Sequence, residues 1–129
     1  MGIKYELADD IKERLFDVAI TLKLDHVRLG SVECIRSRGS GSYNTIARCH
    51  ALSKIWQKVL NINAFYIIEV LSEKFDKQSK EEQDKTIIHE LLHIPKSFGG
   101  GFKHHDFVCK RTVEEYYKKF RQAKQLGRI

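Results

Sequence analysis

Proline is nearly absent: Pro95 is the only one in 129 residues, and no proline- or serine-rich linker, repeat or low-complexity tract interrupts the chain. One continuous domain over residues 1–129 is therefore expected. Cysteine is sparse. Cys34, Cys49 and Cys109 are odd in number, widely separated and without a C-x-x-C pair, which excludes a disulfide framework and a thiolate zinc finger. Long apolar runs are missing too. The longest, Ala64 to Ile68, falls far short of the roughly 18 residues a membrane helix needs, so no membrane span is expected. Met1 to Asp10 lacks the basic, then apolar, then small-residue order of a secretory signal, and reduced thiols fit the same reading: an intracellular, cytoplasmic protein.

Hydrophobic residues at 42% and charged residues at 31% are globular proportions, which argues against disorder. Lys and Arg outnumber Asp and Glu by 23 to 17, for a net charge of +6. Most of the excess sits at the end, where Lys103 to Ile129 holds eight basic and three acidic side chains. Such a basic C-terminal segment is compatible with nucleic acid, and equally with a solubilising helix face.

Periodicity gives the elements. Ile11, Leu15, Val18, Ala19 and Leu22 recur at helical spacing, predicting a helix over about Asp9 to Lys23 capped by Asp9 or Asp10. His26 to Ile35 reads as a strand with Gly30 as a bulge, entering the turn-forming run RSRGSGS. Ile46 to Leu52 reads as the returning strand, Ile55 to Leu60 as its continuation or a second piece around Trp56, and Phe65 to Leu71 as a third strand. A three-stranded meander follows from these. Ser79-Lys80-Glu81-Glu82 has the form of a capping box and opens a helix to about Ile94, ended by Pro95. Gly99 to Gly101 make a turn, and Cys109, Val113, Tyr116 and Phe120 mark a last helix from about Asp106 to Gln125. The expected class is α+β, in the order α-β-β-β-α-α.

His89-Glu90-Leu91-Leu92-His93 is an HExxH motif inside that capped helix. Positions i and i+4 share one helix face, so both imidazoles can reach one zinc ion while Glu90 projects beside the ion's open position. There a carboxylate can take a proton from water that zinc has acidified, which makes attack on a peptide carbonyl feasible at neutral pH. A catalytic zinc needs a third protein ligand. The metzincin pattern would require Gly at 96 and His at 99, and the chain has Lys96 and Gly99, which excludes that class. Glu114 or Glu115, about twenty residues on, would serve a thermolysin-like site. His104 and His105 follow the glycine turn more closely. His105 is in phase with the stripe through Cys109 and Val113, which favours it over His104 on the assumption that the last helix begins there.

HELLHIPKSFGGGFKHHDFV, preceded by RSRGS and IIEVLSEKFD, resembles a metallopeptidase family found in archaea and their viruses, a compact relative of the SprT-like zinc metalloproteases. The resemblance runs from about Val32 to Phe120. It implies a minimal zincin-like fold with a small sheet packed on the HExxH helix, zinc as cofactor, Glu90 as general base, and a protein or peptide substrate. SprT-like proteases commonly carry an apolar residue four positions after the third ligand; Val108 then points to His104 and Cys109 to His105, so the motif leaves both open.

Developing oxyanions in such sites need a second electrophile, and Tyr43, His50 and Tyr66 are the candidates. Arg36 and Arg38, in a loop with exposed amides, are candidates for anchoring a peptide or DNA backbone. That loop lacks the lysine of a P-loop, which disfavours nucleotide hydrolysis. Phe65 to Leu71 is a candidate edge strand for holding an extended substrate, or else the middle of the sheet. The leading expectation is a zinc-dependent metallopeptidase; the alternatives are a basic DNA-associated zinc module without catalysis and a zinc hydrolase of non-peptide amides.

Overall fold

A computed structural model describes residues 2–127. The chain forms β1 (Lys4–Leu7), α1 (Asp9–Thr21), a 3-10 turn (Leu29–Ser31), β2 (Val32–Arg38), β3 (Ala47–Ala51), α2 (Lys54–Leu60), β4 (Tyr66–Leu71), α3 (Ser72–Phe75), α4 (Lys80–Leu92) and α5 (Lys110–Leu126). The class is α+β, as the sequence indicates. Three elements are added to the expected six: β1, α2 and α3.

The sheet is not a meander. Its spatial order is β1-β2-β4-β3, with β2 and β4 parallel and the outer pairs antiparallel. β4 is inserted between β2 and β3 because it is buried on both faces: Tyr66, Ile68 and Val70 are fully buried, and Glu69 and Leu71 nearly so. Phe65 to Leu71 is thus the middle of the sheet, and β3 is the edge. β1 escapes a periodicity search because all four of its residues are exposed. It is held by ladder bonds to β2 and by a cross-strand ion pair from Arg38 to Glu6 at 3.1 Å.

Other boundaries shift for physical reasons. The N-cap of α1 is Ala8, whose amide donates to the Cys34 carbonyl, so neither Asp9 nor Asp10 is the cap; both lie in the first turn, where the helix dipole favours carboxylates. The segment before β2 turns through the 3-10 element, so Gly30 is no bulge and Arg36 and Arg38 are strand residues. Ile55 to Leu60 is helical: α2 ends on Asn61 in the left-handed conformation, at φ 56°. Ile55, Trp56 and Val59 are exposed there, so the β-prone run was never recording burial in a sheet. α5 starts at Lys110, and its buried stripe is Val113, Tyr117 and Phe120 rather than one through Tyr116.

α1, α4 and α5 pack against one another, with α1 on β2 and α4 on β3. Between helices and sheet lies one core in which Ile11, Leu15, Cys34, Tyr66, Ile68, Ile88 and Leu91 are at most 1% exposed. Ile87, Ile88, Leu91 and Leu92 anchor α4 in that core and leave its other face toward the edge strand β3.

Candidate metal centre

Ser79 caps α4 through its Oγ, which accepts from the Glu82 amide, so the start of the helix is as the capping box implies. Ten residues on, His89 and His93 stand one turn apart with ring centroids 5.0 Å from each other. His105 reaches the same place from the turn after the glycine run, its ring 5.6 Å from His89 and 4.9 Å from His93. One ring nitrogen from each of the three lies within 4.8 Å of the others. His104 does not join that group. Its carbonyl closes the turn by accepting from the Phe107 and Val108 amides, while its side chain lines the cleft nearby. The helical-phase reason for preferring His105 does not hold, since residues 104–109 precede α5; backbone turning puts the ring there.

His93 is clasped twice by one residue. Its Nδ1 donates to the Lys103 carbonyl at 2.7 Å, and the Lys103 amide donates to the His93 carbonyl at 2.8 Å. A carbonyl can only accept, so Nδ1 carries the proton and Nε2 is left with its lone pair for a metal. The segment leading into Lys103 is tied in turn to the core. The Tyr66 hydroxyl donates to the Gly101 carbonyl at 2.7 Å and accepts from the Gly100 amide at 3.0 Å. Gln57 of α2 donates to the carbonyls of Leu52 and Gly99. Gly100 sits at φ 105°, and a Cβ on it would lie 2.7 Å from both Gln57 Nε2 and the Leu52 carbonyl oxygen. Only glycine fits.

Burial sets the electrostatics. Glu90 is 6% exposed, and desolvation pushes its carboxyl up to about 7. Its Oε2 lies 4.0 Å from His89 Nε2, beside the donor set. Burial, together with His93 and His105, pushes His89 down to about 4, and burial lowers His93 as well. At pH 7 these rings are neutral, the form that ligates. The residues fit a zinc ion: three nitrogen donors converge, and among the described residues no fourth His, Cys or carboxylate joins them.

The three histidines lie where two hollows meet under β3. A larger one of about 840 Å³ runs toward Thr45, Gln78 and Lys110; a smaller one of about 330 Å³ runs toward Cys49, Phe102 and His104. Ala47, His89, Glu90 and His105 line both.

Residues 3–128 match the model of a family described as putative phage metallopeptidase. The chain belongs to this family. No curated protein and no solved structure gives a significant match. Membership of the phage metallopeptidase family implies a metal ion and a protein substrate, and agrees with the metallopeptidase part of the resemblance. No helix among the described residues is long and apolar enough to cross a membrane.

The remaining sequence candidates lie elsewhere. Glu114 lines the larger hollow but pairs with Lys85 at 2.9 Å, and Glu115 is exposed on α5. Tyr43 is 85% exposed, beside Lys74. His50 bonds Glu69 at 2.7 Å, on the opposite side of β3 from Cys49. Arg36 forks onto Asp10, and Arg38 pairs with Glu6. Tyr66 spends its hydroxyl on the glycine turn. None of these five lines the cleft. Residues that periodicity missed are Gln57, Lys103 and Cys49. Cys49 faces Glu90 from β3, its thiol held up by burial and by that carboxylate.

Proposed function

We propose that the protein is a zinc-dependent peptidase in which His89, His93 and His105 hold the ion and Glu90 is the general base. The observation that carries this reading is the convergence of three imidazoles, those of His89 and His93 kept neutral by burial, beside a buried carboxylate at the floor of an open cleft. When bound there, zinc supplies Lewis acidity to a water and to the substrate carbonyl.

Glu90 takes the proton from the attacking water. Its raised carboxyl lets it surrender that proton to the departing amine nitrogen, so one side chain serves as base and then as acid. Lys103 keeps His93 in the ligating tautomer. The edge strand β3, Ala47–Ala51, holds the peptide extended by adding it as a further strand, which gives main-chain affinity with little sequence preference. The candidate edge thus moves from β4 to β3. His104, at the wall of the smaller hollow, is the side chain available to contact the substrate carbonyl.

An open position beside three ligands argues against a structural zinc in a DNA-associated module, since structural sites are closed. Glu90→Gln tests the mechanism. The variant is expected to keep one zinc per chain and to lose hydrolysis of an unfolded protein substrate by about 10²- to 10⁴-fold. Full activity in that variant would remove Glu90 from the mechanism; loss of zinc would make it structural.

A further inference from the structure

On the far side of Lys103 from the cleft lies a separate hollow of about 280 Å³, between the loop after α1, the end of α4, and α5. Its apolar wall includes Leu92, Ile94, Phe107 and Tyr116; its charged lining is Lys23, Lys96, Lys103 and Lys119, with His26 and no carboxylate. Some cations elsewhere are neutralised, as Lys85 is by Glu114, Lys124 by Asp17 and Arg14 by Asp84, while others such as Lys54 and Lys58 stand singly on the surface; the lysines of this hollow are instead gathered around one concavity. None of the four lysines of this hollow has an ion-pair partner among the described residues. Four like charges around one concavity repel one another unless an anion enters.

Two further observations point the same way. The Lys103 ammonium lies 4.1 Å from the centre of the Phe107 ring and that of Lys119 5.0 Å from the Tyr116 ring, so two of the four cations are seated on aromatic faces. Lys23 occupies the position just past α1 at φ 55°, left-handed backbone where glycine is the usual residue. A lysine tolerated at that cost is consistent with a side chain used for binding.

We propose that this hollow binds a compact, multiply charged phosphate-type anion, of the size of pyrophosphate or triphosphate, whether free or as the tail of a nucleotide. Its volume is at the lower end for ligand sites, which suits a small polyanion and not an extended chain. Neither the peptidase reading nor the metal ligands are needed for it. Lys103 nevertheless joins the two places, since its side chain lines the hollow while its backbone clasps His93.

The test is titration of the full chain with inorganic triphosphate in about 0.1 M salt, where attraction to net charge is largely screened beyond about 10 Å. Heat and amide shifts are read together. One saturable site is expected, with shifts at Lys23, Tyr116 and Lys119. Binding should weaken about tenfold in Lys23→Gln/Lys119→Gln, and hardly at all in Lys54→Gln/Lys58→Gln, which removes the same charge from α2. Lys96→Gln/Lys119→Gln repeats the test if the first variant folds poorly. Equal weakening in both pairs would reduce the effect to net charge and overturn the proposal, as would absence of saturation. Triphosphate also complexes zinc; shifts confined to His89–His105 that persist in the variant count against it. A nucleoside triphosphate matching inorganic triphosphate supports the shared anion, and binding of the nucleoside form alone, or of a single-stranded oligonucleotide that triphosphate does not displace, overturns it.

Discussion

Removing one oxygen from the core should be felt at the metal. Tyr66→Phe keeps the ring between Phe98 and Phe102 but strips the hydroxyl that donates to the Gly101 carbonyl and accepts from the Gly100 amide. Tyr66 is fully buried, while Gly100 is half-buried and Gly101 exposed, so water can replace part of what the two backbone groups lose. Losing hydrogen bonds of this kind costs about 0.5–1.5 kcal/mol each, at roughly 4 °C of Tm per kcal/mol in a domain of this size. The strain falls on the turn that brings Lys103 to His93 and His105 to the histidine cluster. Zinc affinity is therefore expected to fall by about 10- to 100-fold, the scale seen when an outer support of a metal ligand is removed. Competition against a fluorescent zinc chelator measures the affinity; melts with and without excess zinc measure stability. A lower Tm with unchanged zinc affinity would refute the reasoning and leave Tyr66 as a packing residue. Unchanged affinity and Tm with a loss in kcat would return Tyr66 to the oxyanion role its sequence position suggested.

Further outcomes follow from particular contacts. His105→Ala should weaken zinc binding by more than the 10- to 100-fold of an outer support, and His104→Ala by less than about tenfold; the reverse order in a chelator competition would move the third ligand to His104. Gly100→Ala should destabilise the fold by about 1–3 kcal/mol in urea unfolding, because a Cβ at φ 105° would lie 2.7 Å from the Leu52 carbonyl oxygen; a neutral result would mean the turn can shift. Burial alone would raise the Glu69 carboxyl, but its neighbours Ser37 and His50 and the charge of Arg48 hold it below the usual range. A depressed folded value contributes stability above an unfolded value near 4.5 that is lost as pH falls through the folded one. The wild-type Tm should therefore drop more steeply below about pH 4.5 than that of Glu69→Gln, and parallel curves would deny Glu69 that role.

HELLH, its capping box and the stop at Pro95 were legible because they are local: a helix of period 3.6 puts residues four apart on one face whatever surrounds it. The α+β class, α1, the first part of β2, β3 and β4 were legible for the same reason, since alternation and apolar runs record burial. What eluded the sequence was everything set by partners distant along the chain. β1 and α2 carry no buried stripe, so only their pairing and capping define them. RSRGS reads as a turn until three of its residues, Arg36, Ser37 and Arg38, are seen paired into the sheet. The position of β4 between β2 and β3 depends on which strands share the most apolar surface, a comparison no single segment contains. The choice of His105 over His104 belongs to the same class. The two are adjacent and chemically identical, and what separates them is a backbone turn held by Tyr66, Gln57 and Lys103. Sequence alone determined that this chain carries a metallopeptidase motif on a capped helix; the tertiary structure decided which later histidine stands beside the pair, because that residue is delivered by a loop and a loop takes its path from what it bonds to.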